Sequence, residues 1–172
     1  METRQGIPAV GGVGIGPLVT YRRANLNGAN APFAAGKSER ERLDAALEAA
    51  SSELTALAAS VQAELGEEQA AIFEAQAMIA TDPALHDRAA QLIAAGSDAP
   101  GAIKAAGEEY AAMLASLEDQ YLSERAADVR DVAARIERIL RGQRESLPTL
   151  TQPSILLADD LTPSETATLD PR

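Results

Sequence analysis

The 172 residues contain no cysteine, no tryptophan and a single histidine. Disulfides, thiolate zinc sites and cysteine nucleophiles are therefore excluded. One histidine without a thiol is a poor basis for a transition-metal site. Aromatic residues make up only 3% of the chain, too few for the interior of an aromatic-rich sandwich. Long apolar runs are missing too. The longest uncharged apolar-leaning stretch, Ile7 to Thr20, is broken by four Gly and two Pro, and it falls short of the roughly 20 residues of a membrane-spanning helix. It also lacks the helical apolar centre and basic start of a signal peptide, so the chain reads as cytoplasmic. Positive charge is scarce: 15 Lys and Arg face 26 Asp and Glu, a net charge of −11. Nucleic acid and anionic membranes attract the opposite sign, so neither is an expected partner.

Alanine, with 37 residues, is what the chain has in excess. With 46% apolar residues and so few rings, the core must consist of close-packed helices with small contacts. Charge is distributed unevenly. From Ser38 to Gly142 there are 20 acids and 9 bases, and the remainder is balanced at 6 and 6. From Leu43 to Asp87 there are nine acids and no Lys or Arg. Such a run is either a solvated helix face or an electrostatic docking surface.

Ser38 and Glu41 form a capping-box pattern. Leu43, Leu47, Leu54, Leu57, Val61 and Leu65 then repeat at helical spacing up to Gly66. A second helix carries Ile72, Phe73, Ala77 and Met78. Asp82 and Pro83 are the cap and first position of a third, which ends at Gly96. A fourth is expected to run from Pro100 through Ile103, Ala106, Tyr110, Met113, Leu117, Val132, Ile136 and Ile139 to a stop at Gly142. Residues 38–142 thus read as a four-helix, two-hairpin bundle. Leu18 to Tyr21 and the apolar run Ile155 to Ala158 read as strands of one small sheet, and Thr162-Pro163-Ser164-Glu165 as a helix start. The expected class is mainly α within α+β. Residues 1–37 and 143–172 form an incomplete α/β unit, into which the helical part is inserted.

Several motifs carry no chemistry. Gly11-Gly12-Val13-Gly14-Ile15-Gly16 lacks both dinucleotide spacing and the Lys-Ser/Thr ending of a P-loop, so tight turns are the expectation. His86 lies on a helix beside Asp87 and Arg88 and reads as a surface residue. Asp159 and Asp160 are neighbours at a strand end, so they point to opposite faces and make a poor acid/base pair.

Four ordered blocks carry a family resemblance. Gly6 to Gly16, Gly66-Glu67-Glu68-Gln69-Ala70-Ala71-Ile72-Phe73-Glu74-Ala75-Gln76-Ala77-Met78, Asp119 to Asp131 (with Glu124-Arg125-Ala126-Ala127-Asp128) and Leu157 to Thr166 together resemble the N-terminal part of Enzyme I of the bacterial phosphoenolpyruvate:sugar phosphotransferase system. The resemblance implies a protein that moves phosphoryl from phosphoenolpyruvate through a histidine to the phosphocarrier HPr in sugar uptake. It also implies an α/β phosphohistidine subdomain with an inserted helical HPr-binding subdomain. The family's phosphorylated histidine follows the Leu-Thr-Pro-Ser-Glu block in a Gly-Gly-x-x-Ser/Thr-His motif, which these residues do not reach. The expectation is therefore docking without catalysis: no catalytic residue, no cofactor in this chain, magnesium only in the full-length parent, a monomeric fragment and a dimeric parent.

By position in the blocks, Glu67, Glu68, Ala71, Met78, Ile79 and Asp82 carry over as docking residues, joined by Arg125. For Met78 and Ile79 the competing role is core packing. For Glu67 and Glu68 it is favourable charge at a helix N-terminus. Pro83-Ala84 replace commonly acidic positions of the family. Two other readings stay open: an Enzyme I-like domain of a multidomain phosphotransferase, including the nitrogen and dihydroxyacetone branches, and a stand-alone acidic helical interaction module.

Overall fold

A computed structural model describes residues 14–21, 33–34, 36–117, 119–143, 150, 152–158, 161 and 166. The element order among them is β1 (Leu18–Tyr21), α1 (Glu39–Leu65), α2 (Glu67–Ala80), α3 (Pro83–Ala94), α4 (Ala99–Ala115), α5 (Gln120–Leu140) and β2 (Ile155–Ala158). The two strands pair in parallel, with Leu18 opposite Ile155 and Tyr21 opposite Ala158. A parallel pair needs a long crossover, and all five helices lie within it. The expected caps at Thr162 to Glu165, and Asp159 and Asp160, lie outside the described residues, as do Gly11 to Val13.

The helix boundaries follow their caps. Ser38 and Glu41 complete the capping box at the start of α1. Asp82 accepts from the Ala84 amide with Pro83 in the first turn of α3, and Asp98 accepts from Gly101 with Pro100 in the first turn of α4. The mainly helical class is as expected, but the helix count is not. The single helix expected from Pro100 to Gly142 is two, because Ser116 closes α4 and Asp119, accepting from the Leu122 amide, opens α5. The hairpins are therefore α1 with α2 and α4 with α5, and the short α3 bridges them.

The core is aliphatic and small. Leu43, Leu47, Leu54, Val61, Phe73, Leu85, Ile103, Val132, Ile136 and Leu140 pack with nine alanines into one cluster. Ala111, Ala126 and Val129 form a smaller one between α4 and α5. Ile79 and Tyr110, half-buried, pack against both. Leu65, expected in the α1 stripe, is 62% exposed because it is the last residue of its helix.

Beside this core, Arg42 ties the base of the bundle. Its guanidinium donates to the carbonyls of Phe33 at 3.1 Å and Leu140 at 3.0 Å, and it pairs with Glu39. The other carboxylate oxygen of Glu39 accepts from the Ala99 amide at 2.6 Å. That amide bond is the main reason the Glu39 carboxyl sits below its usual range, with Arg42 adding to it against the opposing effect of burial. The start of α1, the start of α4, the end of α5 and the chain ahead of α1 thus meet in one hydrogen-bonded group.

Candidate docking site

Helix α2 sorts its side chains by angle. At about 100° per residue, Ala70, Phe73, Gln76, Ala77 and Ala80 fall on one side. Of these, Ala70, Phe73, Gln76 and Ala80 are buried, and Ala77 packs against the main cluster. Glu67, Ala71, Glu74 and Met78 fall within an arc of about 60° on the opposite side, with Asp82 about 20° and Glu68 about 60° beyond its edge. Glu67, Glu68, Ala71, Glu74 and Met78 are all exposed. Met78 is 68% exposed, so its side chain is surface and not core. Ile79 is the opposite case: it is half-buried and packs against both clusters, anchoring the helix beneath that face.

The electrostatics follow from who is paired. In the Leu43 to Asp87 run, Asp44 meets Arg40 and His86, Asp87 meets His86, and Glu53 pairs with Arg135. Among the described residues, Glu67, Glu68 and Glu74 form no ion pair. Glu67 and Glu68 occupy the first turn of α2, whose N-cap Gly66 has no side chain to offer. Both carboxylates therefore lie at the positive end of the helix dipole, which offsets their mutual repulsion while leaving them open to solvent. The helix-terminus role weighed for them in sequence is therefore present, and it leaves both side chains exposed.

At the other end of α2, Asp82 is half-buried. One of its oxygens caps α3 through the Ala84 amide at 2.8 Å, and the other accepts from the Tyr110 hydroxyl at 3.1 Å. Arg125, on α5, is half-buried and bridged to Asp128 at 3.2 Å. It immediately precedes Ala126, which belongs to the small cluster that Ile79 covers. All seven residues taken from sequence thus lie on or beside α2 and the first turns of α5.

Sequence reasoning missed a neighbouring apolar group. Met113 and Leu117, placed by their spacing in the apolar pattern of the expected fourth helix, are 52% and 42% exposed, and Leu122 is 37% exposed. They flank the turn between α4 and α5, which interrupts the helix in which their spacing looked like core. His86 is a partly covered surface residue, with Nε2 2.8 Å from Asp44 and Nδ1 3.3 Å from Asp87. No group of three or more metal-ligating side chains occurs among the described residues. No helix among them is long and apolar enough to cross a membrane.

Residues 5–125 match the family described as PEP-utilising enzyme, N-terminal. The chain is 35% identical over 172 residues to the phosphoenolpyruvate-protein phosphotransferase of Streptococcus equinus, covering 98% of this chain and 30% of that protein. Against the same enzyme of Bacillus subtilis it is 31% identical, covering 99% and 30%. A solution structure of Enzyme I superposes with a TM-score of 0.67 at 38% identity, covering 76% of this chain and 54% of that one. The N-terminal domain of the nitrogen Enzyme 1 gives 0.66 at 29% identity, covering 90% and 64%. The chain spans about 30% of the length of the curated relatives it matches. It belongs to the family of N-terminal domains of PEP-utilising enzymes, as an N-terminal part of Enzyme I.

Proposed function

We propose that these residues dock a basic phosphocarrier, the HPr of the phosphotransferase system, on the exposed face of α2. The observation that carries the reading is the set of unpaired carboxylates, Glu67, Glu68 and Glu74, around exposed Ala71 and Met78. A docking patch needs an apolar centre with a charged rim, and this face supplies both. Ile79 holds the helix in place, Asp82 closes the far end of the rim, and Arg125 adds a cation oriented by Asp128. The setting of such an encounter is the cytoplasm.

The enzyme to which such a domain belongs carries phosphoryl from phosphoenolpyruvate through a histidine to the carrier. Within these residues the one histidine, His86, lies in α3 and not after the Leu161 to Glu165 block. His86 is therefore not the acceptor in that scheme, and docking is the activity these residues support.

The test is a titration of labelled HPr from the same organism against wild type and Glu68→Lys, at low and high salt. The substitution sets a like charge against the partner's basic groups and should weaken binding on the order of tenfold or more. Helicity should persist, since Lys is as good a helix former as Glu. Met78→Ala should cost roughly 1–2 kcal/mol as a surface contact. The wild-type on-rate should fall with salt. Equal, salt-independent affinity for wild type and Glu68→Lys would return the acidic run to a solvated face.

A further inference from the structure

The α2–α3 corner is where the docking face ends, and it is held from a third helix. Asp82 is a difficult residue to keep there. It follows the C-terminal end of α2, where the helix dipole disfavours an anion. Its backbone continues the α2 turn, with its amide donating to the Ile79 carbonyl at 3.1 Å. Its side chain serves α3, with one oxygen accepting from the Ala84 amide at 2.8 Å. The second oxygen accepts from the hydroxyl of Tyr110, which comes from α4. Tyr110 is itself placed by packing, since its ring lies against both apolar clusters beside Ile79.

We propose that Tyr110 is a positioning residue for docking: its hydroxyl fixes the second oxygen of Asp82 and so aims the last carboxylate of the α2 face at an incoming cation. This inference rests on the docking role of that face. With one oxygen held by Ala84 and the other by Tyr110, the carboxylate cannot rotate about its last bond. A carboxylate offers about four acceptor positions, so two remain for a partner's ammonium or guanidinium. A side chain already fixed in its bound geometry loses less freedom on association than a mobile one. The link also ties α4 to the corner between α2 and α3, so the face and the α4–α5 hairpin hold one relative position. The electrostatic signature is consistent: burial, then the Asp82 charge and the hydrogen bond to it, raise the Tyr110 phenol above its usual range. The hydroxyl therefore stays protonated, and donating, throughout the neutral range.

Tyr110→Phe removes only the hydroxyl and leaves the ring in its packing. Asp82→Ser keeps an N-cap for α3 but has no second oxygen for Tyr110. Titrating HPr from the same organism against wild type, both single variants and the double variant closes a cycle, with Glu68→Lys as the control for docking itself. Tyr110→Phe should weaken binding roughly three- to tenfold, and the same change in the Asp82→Ser background should do nothing further. Ultraviolet titration of the three tyrosines should show a component above the usual phenol range that is lost in Tyr110→Phe and moved down in Asp82→Ser, a change that mere packing would not produce. Unchanged affinity in Tyr110→Phe while Glu68→Lys still loses binding overturns the positioning role and leaves the docking face intact. An equal loss from Tyr110→Phe with and without Asp82 also overturns it, because the hydroxyl would then act elsewhere. If Glu68→Lys binds as wild type does, the docking reading fails and this inference fails with it.

Discussion

Gly107 is buried in α4 against Ala133 of α5, and adding one methyl group there tests how tightly the hairpin is built. A Cβ at position 107 would lie 2.3 Å from the Ala133 Cβ. Two carbons in favourable contact stay about 3.5–4.0 Å apart, so the helices would have to separate by over an ångström. Neither methyl has a rotamer to escape into, because each is bonded directly to its backbone. Overpacking of this kind costs typically about 1–3 kcal/mol. Replacing a helical glycine by alanine returns about 1 kcal/mol of propensity. The clash is severe and rigid, so the upper part of the overpacking range applies, and Gly107→Ala should lose about 1–2 kcal/mol net. Urea unfolding followed by helical circular dichroism measures this. Ala133→Gly provides the control. Alone it should cost about 1 kcal/mol in propensity, but in the double variant it should remove the clash, giving a favourable coupling on the order of 1–3 kcal/mol. If Gly107→Ala is more stable than wild type and the cycle is additive, the close approach of α4 and α5 is wrong. The hairpin also carries Tyr110, Ala111 and Ala126, so Gly107→Ala should weaken HPr binding as well.

Two further outcomes follow from buried polar groups. Arg42→Met removes the donor to the Phe33 and Leu140 carbonyls and leaves Glu39 only the Ala99 amide, so stability should drop by roughly 2–3 kcal/mol in chemical denaturation; Arg42→Lys should restore little, since an ammonium cannot reproduce the guanidinium fork, and a loss under about 0.5 kcal/mol for Arg42→Met, the size of an ordinary surface change, would count against the tie. Gln76 is 2% exposed, and its Nε2 has no hydrogen-bond partner among the described residues; Gln76→Met, of similar shape, should therefore be neutral or stabilise by up to about 1 kcal/mol in the same assay, and a clear destabilisation would show that the amide is satisfied.

The elements legible in sequence are those whose signals are local. Ser38 with Glu41, Asp82 with Pro83, the start at Pro100 and the stop at Gly142 each act within a turn of their own helix, and all appear where expected; the Asp98 cap ahead of Pro100 is added by the structure. The break at Ser116 to Asp119 had a local signal too, a serine and an aspartate three residues apart. It was hidden because apolar spacing continues from Ile103 to Ile139 across it. Periodicity also could not choose a face for α2, since Ile72, Phe73, Ala77, Met78 and Ile79 surround most of the helix; only packing shows that Phe73 is inside and Met78 outside. Arg42 looks like one more member of a surface Glu-Arg run, and its burial depends on where Phe33 and Leu140 arrive from distant parts of the chain. Gly107 and Tyr110 are likewise unremarkable in sequence, because the partner that gives each its role sits on another helix.

Helix α2 resolves a conflict that any acidic helix faces. Carboxylates are welcome at its N-terminus and unwelcome at its C-terminus, yet a rim needs them at both ends. Glu67 and Glu68 use the dipole directly, and Gly66 leaves the first-turn amides without a competing side-chain cap. At the far end the dipole opposes Asp82, so its charge is held by other means: the start of α3 supplies one donor and Tyr110 the other. The α2–α3 corner is thus two helix termini sharing one acid. Moving that acid one residue earlier, to Thr81, would leave it on the unfavourable end of α2 without the α3 cap. The sequence Thr81-Asp82-Pro83 is the order that allows the cap, since Pro83 occupies a first-turn position where its missing amide proton costs nothing. The acidic face therefore extends as far as Asp82 because a new helix begins there.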